Sequence, residues 1–221
     1  MHSKLHVIIT GATGMVGEGI LQECIANPAV EKILLINRKP SGYSGSKIQE
    51  IIHQDLRDIS SLADTVKDYD ACYFCAGVSA MGMTEEQYTK VTYGLTLGFA
   101  ETLATVNPQM IFCYVSGGGT DSSEKGKQMW ARVKGKTEND LMKLELEVYN
   151  FRPGFMGPFK GAKNVKGFYK IIDALFPLFR LFSKTYFLTL AEVGKAMIHV
   201  TVDGYTKNIM EVKDIALVAR Y

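Results

Sequence analysis

At 221 residues, 47% hydrophobic and 22% charged, the chain has the make-up of one well-buried α/β domain with little left for a second. A formal net charge of +2 gives no basis for nucleic acid or an anionic membrane as partner. No basic segment with an apolar core and cleavage site opens the sequence, so the expected compartment is the cytoplasm.

The apolar run Leu5-His6-Val7-Ile8-Ile9 predicts a first strand over Lys4–Thr10, and Met15–Ala26 reads as the helix after it. Between them lies Gly11-Ala12-Thr13-Gly14-Met15-Val16-Gly17, a strand-to-helix turn that presents bare N–H groups and a positive helix end to a pyrophosphate. The spacing is G-x-x-G-x-x-G; the glycines permit a tight turn, close approach of backbone to phosphate, and close packing of helix on strand. Gly11, Thr13, Gly14, Met15, Val16 and Gly17 are therefore candidate cofactor residues.

A second strand, Lys32–Asn37, runs into Arg38 and Lys39. An NAD site usually places Asp or Glu here, ~20 residues past the glycines, to bind the ribose 2′-hydroxyl. A carboxylate would repel a 2′-phosphate, whereas the forked guanidinium of Arg38 would grip one. Asn37, Arg38 and Lys39 thus favour NADP(H) over NAD(H).

Ile48–His53 reads as a third strand, and Asp55 and Leu56 after it are placed to meet the adenine. A fourth, Ala71–Cys75, leads into Ala76, Gly77 and Val78, small enough to run beside a cofactor ribose. Cys72 and Cys75 are three apart on a strand and face opposite ways, so they form neither a disulfide nor a metal pair. No metal spacing appears elsewhere among the scattered histidines and cysteines. Helices are expected near Thr84–Val106 and Ser123–Leu144, a fifth strand at Met110–Ser116 and a sixth at Glu147–Arg152. This β-α-β rhythm predicts a doubly wound parallel sheet, a Rossmann fold, forming a single domain over residues 1–221. Residues from about 155 onward are expected to supply a small substrate cap.

Phe168–Leu190 is apolar but carries Lys170, Asp173, Pro177, Arg180 and Lys184, too many interruptions for a membrane span. It reads as a helix capping the substrate end, where Phe168, Ile171, Ile172, Leu175, Phe176 and Phe179 suggest an apolar small-molecule substrate. Nothing in the sequence specifies an oligomeric state.

Together, Gly11–Gly17, Asn37-Arg38, Asp55-Leu56, Ala76-Gly77, Tyr114-Val115-Ser116 and Arg152-Pro153-Gly154-Phe155-Met156-Gly157-Pro158 carry a resemblance. Over roughly its first 160 residues the chain resembles the extended and atypical branch of the short-chain dehydrogenase/reductase superfamily, which holds the NAD-dependent epimerase/dehydratase-like and NmrA-like proteins. The resemblance implies a nicotinamide cofactor, with Arg152, Pro153 and Gly154 bordering the nicotinamide. It also implies a catalytic Tyr-x-x-x-Lys pair on the helix after the fifth strand. Lys134 matches that pair, but Trp130 stands at the tyrosine position, and an indole cannot titrate near neutral pH. Tyr43-x-x-x-Lys47 has the spacing at the wrong end of the sheet. Ser116 begins a run that continues as glycines, and Thr92 stands where family members often carry asparagine.

Three readings follow. The chain is an NADP(H)-dependent oxidoreductase of a small carbonyl or hydroxyl substrate, with Lys134, Ser116 and Trp130 at the catalytic positions and Tyr93 an alternative proton donor. It binds NADP(H) without turnover, as a sensor or regulatory protein. Or it is a nucleotide-sugar epimerase/dehydratase-like enzyme, for which its C-terminal part is short.

Overall fold

The computed structural model describes residues 4–157 and 187–220. In chain order these form β1 (Leu5–Thr10), α1 (Met15–Ala26), β2 (Val30–Asn37), β3 (Ile48–Ile52), α2 (Ala63–Val66), β4 (Ala71–Phe74), α3 (Glu85–Val106), β5 (Ile111–Val115) and α4 (Met129–Leu141). There follow β6 (Glu147–Arg152), β7 (Phe155–Gly157), β8 (Phe187–Thr189), α5 (Leu190–Asp203), β9 (Ile209–Glu211) and α6 (Val212–Val218).

The main sheet has the order β3-β2-β1-β4-β5-β6-β9, and every neighbouring pair is parallel. Its strands are apolar on both faces because both are covered. Val7 and Ile9 of β1 pack with α1, α5 and α6 on one side; Ile8 packs with α2, α3 and α4 on the other. Strand order reverses between β1 and β4, the place where open parallel sheets form a crevice at their carboxyl ends. β7 and β8 make a separate parallel pair.

Three expectations change. The helix expected from Ser123 begins at Met129, because the Asp121 carboxylate accepts hydrogen bonds from the N–H groups of Ser123 (3.0 Å) and Gly126 (2.6 Å) and holds this stretch as a loop. Past 187 the chain also builds the body of the fold: α5 and α6 bury Val193, Met197 and Ile215 in the main core, and β9 is the seventh strand of the main sheet. The helix expected over 168–190, with its apolar lid residues, lies outside the described residues except at 187–190, which are β8 and the first residue of α5.

Tyr43 and Lys47 clamp α1. The Tyr43 hydroxyl donates to the buried Glu18 at 2.5 Å, and the Lys47 ammonium donates to the carbonyls of Ile25 (3.0 Å) and Asn27 (2.9 Å). A cation on the last carbonyls of a helix satisfies them and complements its negative end.

Candidate cofactor and active site

A cavity of about 1010 Å³ opens over the carboxyl ends of the central strands. Thr13, Gly14, Met15 and Val16 line one end; Ser116, Trp130 and Lys134 line the other, with Cys75, Ala76, Gly77, Val78, Pro153 and Gly154 along the walls.

The glycine-rich turn is built for close approach. Gly11 has φ +71°, and a Cβ there would stand 2.7 Å from the Ala76 nitrogen, which with that of Cys75 donates to the Thr10 hydroxyl at 3.1 Å. Gly14 is the N-cap of α1 and has no side chain to satisfy the first N–H groups of the helix, whose first residues Met15 and Val16 line the cavity. α3 and α5, by contrast, close their N-termini with Thr84–Gln87 and Thr189–Glu192 capping boxes.

On the adenosine side Asn37 departs from its expected role. It is buried; its Oδ1 accepts from the Ala12 N–H at 3.2 Å and its Nδ2 donates to Glu50 Oε1 at 2.9 Å. It braces the turn against β3. An aspartate there would face the Glu50 carboxylate. Arg38 and Lys39 are exposed and have no side-chain partner among the described residues. Asp55 is paired with Arg57 (Nε 2.8 Å, Nη2 2.6 Å), which holds its carboxyl down to about 2. The Leu56 side chain lies in the core, not in the cavity.

The far end depends on α4. Trp130, Lys134 and Glu138 are spaced four apart and share one helical face. Lys134 Nζ donates to the Ser116 carbonyl, and the Ser116 hydroxyl lies 2.5 Å from Glu138 Oε1 and 3.0 Å from the Phe151 carbonyl. With its single proton committed to one of these, Ser116 is not the free donor the sequence suggested. Arg152 faces away from the role expected of it. Its guanidinium is outside the cavity, paired with Glu138 (Nε 3.0 Å), Glu211 (3.1 Å) and the Ser122 hydroxyl (2.5 Å), while Pro153 and Gly154 alone of that motif's first three residues reach the cavity. Tyr93 points elsewhere, its hydroxyl donating to Asp140 at 2.9 Å. Tyr88, Thr92 and Tyr114 line the cavity instead, Tyr88 and Thr92 being one helical turn apart on α3. The Gly117-Gly118-Gly119 turn passes beside the indole; Gly119, at φ +87°, leaves only 3.5 Å between the position of a Cβ and Trp130.

Sequence reasoning missed Glu138, Tyr88, Glu211 and Lys213. The Lys134–Glu138 spacing was a readable signal for Glu138; Glu211 and Lys213 carry none before β9 is known to border β6. Among the described residues no group of three or more His, Cys, Asp or Glu side chains is placed to hold a metal ion.

Burial pushes Lys134 down to about 8 from an ordinary 10.5, against the pull of Glu138. Between these values the unfolded chain keeps a proton that the folded protein has released, so this residue makes stability rise with pH across that window. The buried thiols of Cys24 and Cys75, pushed up by desolvation, act oppositely once the unfolded chain begins to ionise them near 9. Lys134→Met is therefore expected to lose stability faster than wild type between about pH 8 and pH 9.5 in urea unfolding. Parallel profiles would mean that Lys134 is solvated.

An all-parallel sheet in this order, with a glycine-rich turn at its switch point and a lysine facing it across the cavity, defines a Rossmann-type protein of the short-chain dehydrogenase/reductase class. Residues 7–124 match the profile described as the NAD dependent epimerase/dehydratase family, and the chain belongs to that family. It is similar to leucinostatins biosynthesis cluster protein T of Purpureocillium lilacinum, 34% identical over 119 residues, which cover 52% of this chain and 44% of that protein. It is also similar to protein fmp52, mitochondrial, of Aspergillus fumigatus, 29% identical over 160 residues, 68% of this chain and 66% of that one. The chain thus spans less than two thirds of the length of either relative. Among solved structures, Bordetella bronchiseptica WbmF in complex with NAD+ shares the fold, with a TM-score of 0.68 at 14% identity over 99% of this chain and 77% of that one. The expectation of a cytoplasmic protein is overturned by the fmp52 relatives, which are named mitochondrial. No helix among the described residues is long and apolar enough to cross a membrane.

Proposed function

We infer that the chain binds a nicotinamide dinucleotide, NADP(H) in preference to NAD(H), and serves as an oxidoreductase of a small carbonyl or hydroxyl substrate. The observation that carries this reading is one continuous cavity joining the uncapped start of α1 to Lys134. Backbone N–H groups at Met15 and Val16 suit a diphosphate, and Ala76 and Gly77 leave room beside them for a ribose. Arg38, exposed past the end of β2, suits the 2′-phosphate, and Asn37 supports that phosphate only indirectly, by bracing Ala12. When bound, the nicotinamide supplies or takes the hydride.

The proton is handled by this chain. Trp130 donates a hydrogen bond but cannot exchange a proton near neutral pH. Tyr88 and Tyr114 are held protonated by burial. Lys134, brought down to about 8, is charged or neutral within the working range, and its Nζ is the atom from which a proton would move to a substrate oxygen. The indole at 130 favours a second reading, in which the cofactor is bound and sensed without turnover.

Trp130 is the one tryptophan of the chain and lies in the cavity, so its fluorescence reports occupancy. Titration with NADPH, NADP+, NADH and NAD+ should show binding, tightest for the phosphorylated pair. Arg38→Ala should weaken NADPH by about 1.5–3 kcal/mol, roughly 10- to 150-fold, and NADH much less. Equal losses would remove the NADP(H) preference; no binding by any of the four would end the reading. Turnover of a carbonyl panel with NADPH, reduced in Lys134→Ala, separates the enzyme from the sensor.

A further inference from the structure

The charges lining the cavity are not balanced. Glu211 is its one carboxylate among the described residues, and its Oε1 already accepts from Arg152 at 3.1 Å. Glu138, beneath the floor, is paired with the same guanidinium. Lys134 is turned to the Ser116 carbonyl. That leaves Lys213, which lines the cavity at the start of α6 and is exposed, with no carboxylate or other side-chain partner among the described residues. Around it the wall is apolar: Phe155 and Met156 of β7 and Val212 beside it.

An unpaired cation over an apolar wall selects an amphiphilic anion. Lys213 follows β9, at the edge of the strand order away from β2, so it is remote from Arg38 and the adenosine 2′-phosphate. We propose that Lys213 is a specificity-determining residue: the substrate is an organic carboxylate whose charge pairs with its ammonium and whose apolar body rests on Phe155, Met156 and Val212. This rests on the cofactor reading above, because it assigns Lys213 to the part of the cavity left for the substrate.

The test compares 4-phenylbutyrate with its neutral amide, 4-phenylbutyramide, read by Trp130 fluorescence in the full chain at low ionic strength. The acid should bind about five- to tenfold more tightly than the amide, a modest ratio because Lys213 is open to solvent. The ratio should fall to about one in Lys213→Met and invert in Lys213→Glu, while NADPH affinity stays at the wild-type value. Equal affinities in wild type, or no binding of either probe, overturn the proposal. A Lys213→Met variant that loses NADPH affinity overturns it too, by assigning the cation to the cofactor. Phenethyl phosphate binding more tightly than phenylbutyrate would overturn the choice of carboxylate. Because the probe ratio is measurable without nucleotide, failure of NADPH to bind any variant would count against the cofactor reading alone.

Discussion

Glu138→Ala is expected to destabilise the protein by about 3–5 kcal/mol, the largest effect of any single side-chain truncation in the site. Glu138 is 0% exposed and Arg152 8%, so neither charge has water to fall back on. Arg152 reaches both carboxylate oxygens of Glu138, and the Ser116 hydroxyl adds a third contact at 2.5 Å. Removing the carboxylate strands a guanidinium that keeps only Glu211, half open to solvent, and the Ser122 hydroxyl. Restoring shape without charge, as in Glu138→Leu with Arg152→Met, should recover much of the loss, because well-packed apolar pairs often replace buried ion pairs at little cost. Urea unfolding of the two singles and the double gives the coupling directly. A cost below about 1 kcal/mol for Glu138→Ala would place the pair in solvent, contrary to its burial.

Gly17→Ala is expected to remove nucleotide binding and to lower stability together. A Cβ at Gly17 would overlap the Gly11 carbonyl oxygen and stand 2.6 Å from the Gly11 carbonyl carbon and 2.9 Å from the Ala12 nitrogen. All three are backbone atoms of the turn itself, so no side chain can swing aside. Either α1 withdraws or the turn opens, at a cost of about 1–3 kcal/mol, and the N–H groups lose their common focus. Gly14→Ala is the contrasting variant. Its added carbon meets the Gly11 oxygen at 3.4 Å, so the fold should survive while NADPH binding weakens through obstruction at the helix end. Thermal melts with and without NADPH distinguish the pair. A Gly17→Ala protein that binds normally would show that the turn is not what holds the diphosphate.

Much of this fold is legible in the sequence because parallel strands covered on both faces are uninterrupted apolar runs. Val7–Ile9, Ile33–Ile36 and Ala71–Phe74 announce themselves in this way, and the first helix follows its glycines without ambiguity. The carboxyl-terminal elements do not. β9 is three residues, Ile209–Glu211, and becomes a strand only because β6 offers it an edge. α5 has a clear apolar face, but nothing local says that the face belongs against α1 rather than over a substrate. In the site, the turn and Lys134 are local features legible in the sequence, and both line the cavity. The pairing of Arg152 is not legible because its partners Glu138 and Glu211 lie 14 and 59 residues away, and a motif carries no record of what its guanidinium touches. The pairing of Asn37 is hidden for the same reason, since Glu50 reaches it from the neighbouring strand.

The contact between α1 and α5 has a consequence for how the chain is made. Gly19 and Gly194 let the two helices meet so closely that a Cβ on Gly19 would run into Leu190 and one on Gly194 into Glu23. Protein synthesis delivers the first helix well before its cover, because the whole stretch from Asn27 to Thr189 lies between them. Until that cover emerges the greasy flank of the helix stays without its native shelter, a period in which a chaperone has something definite to hold.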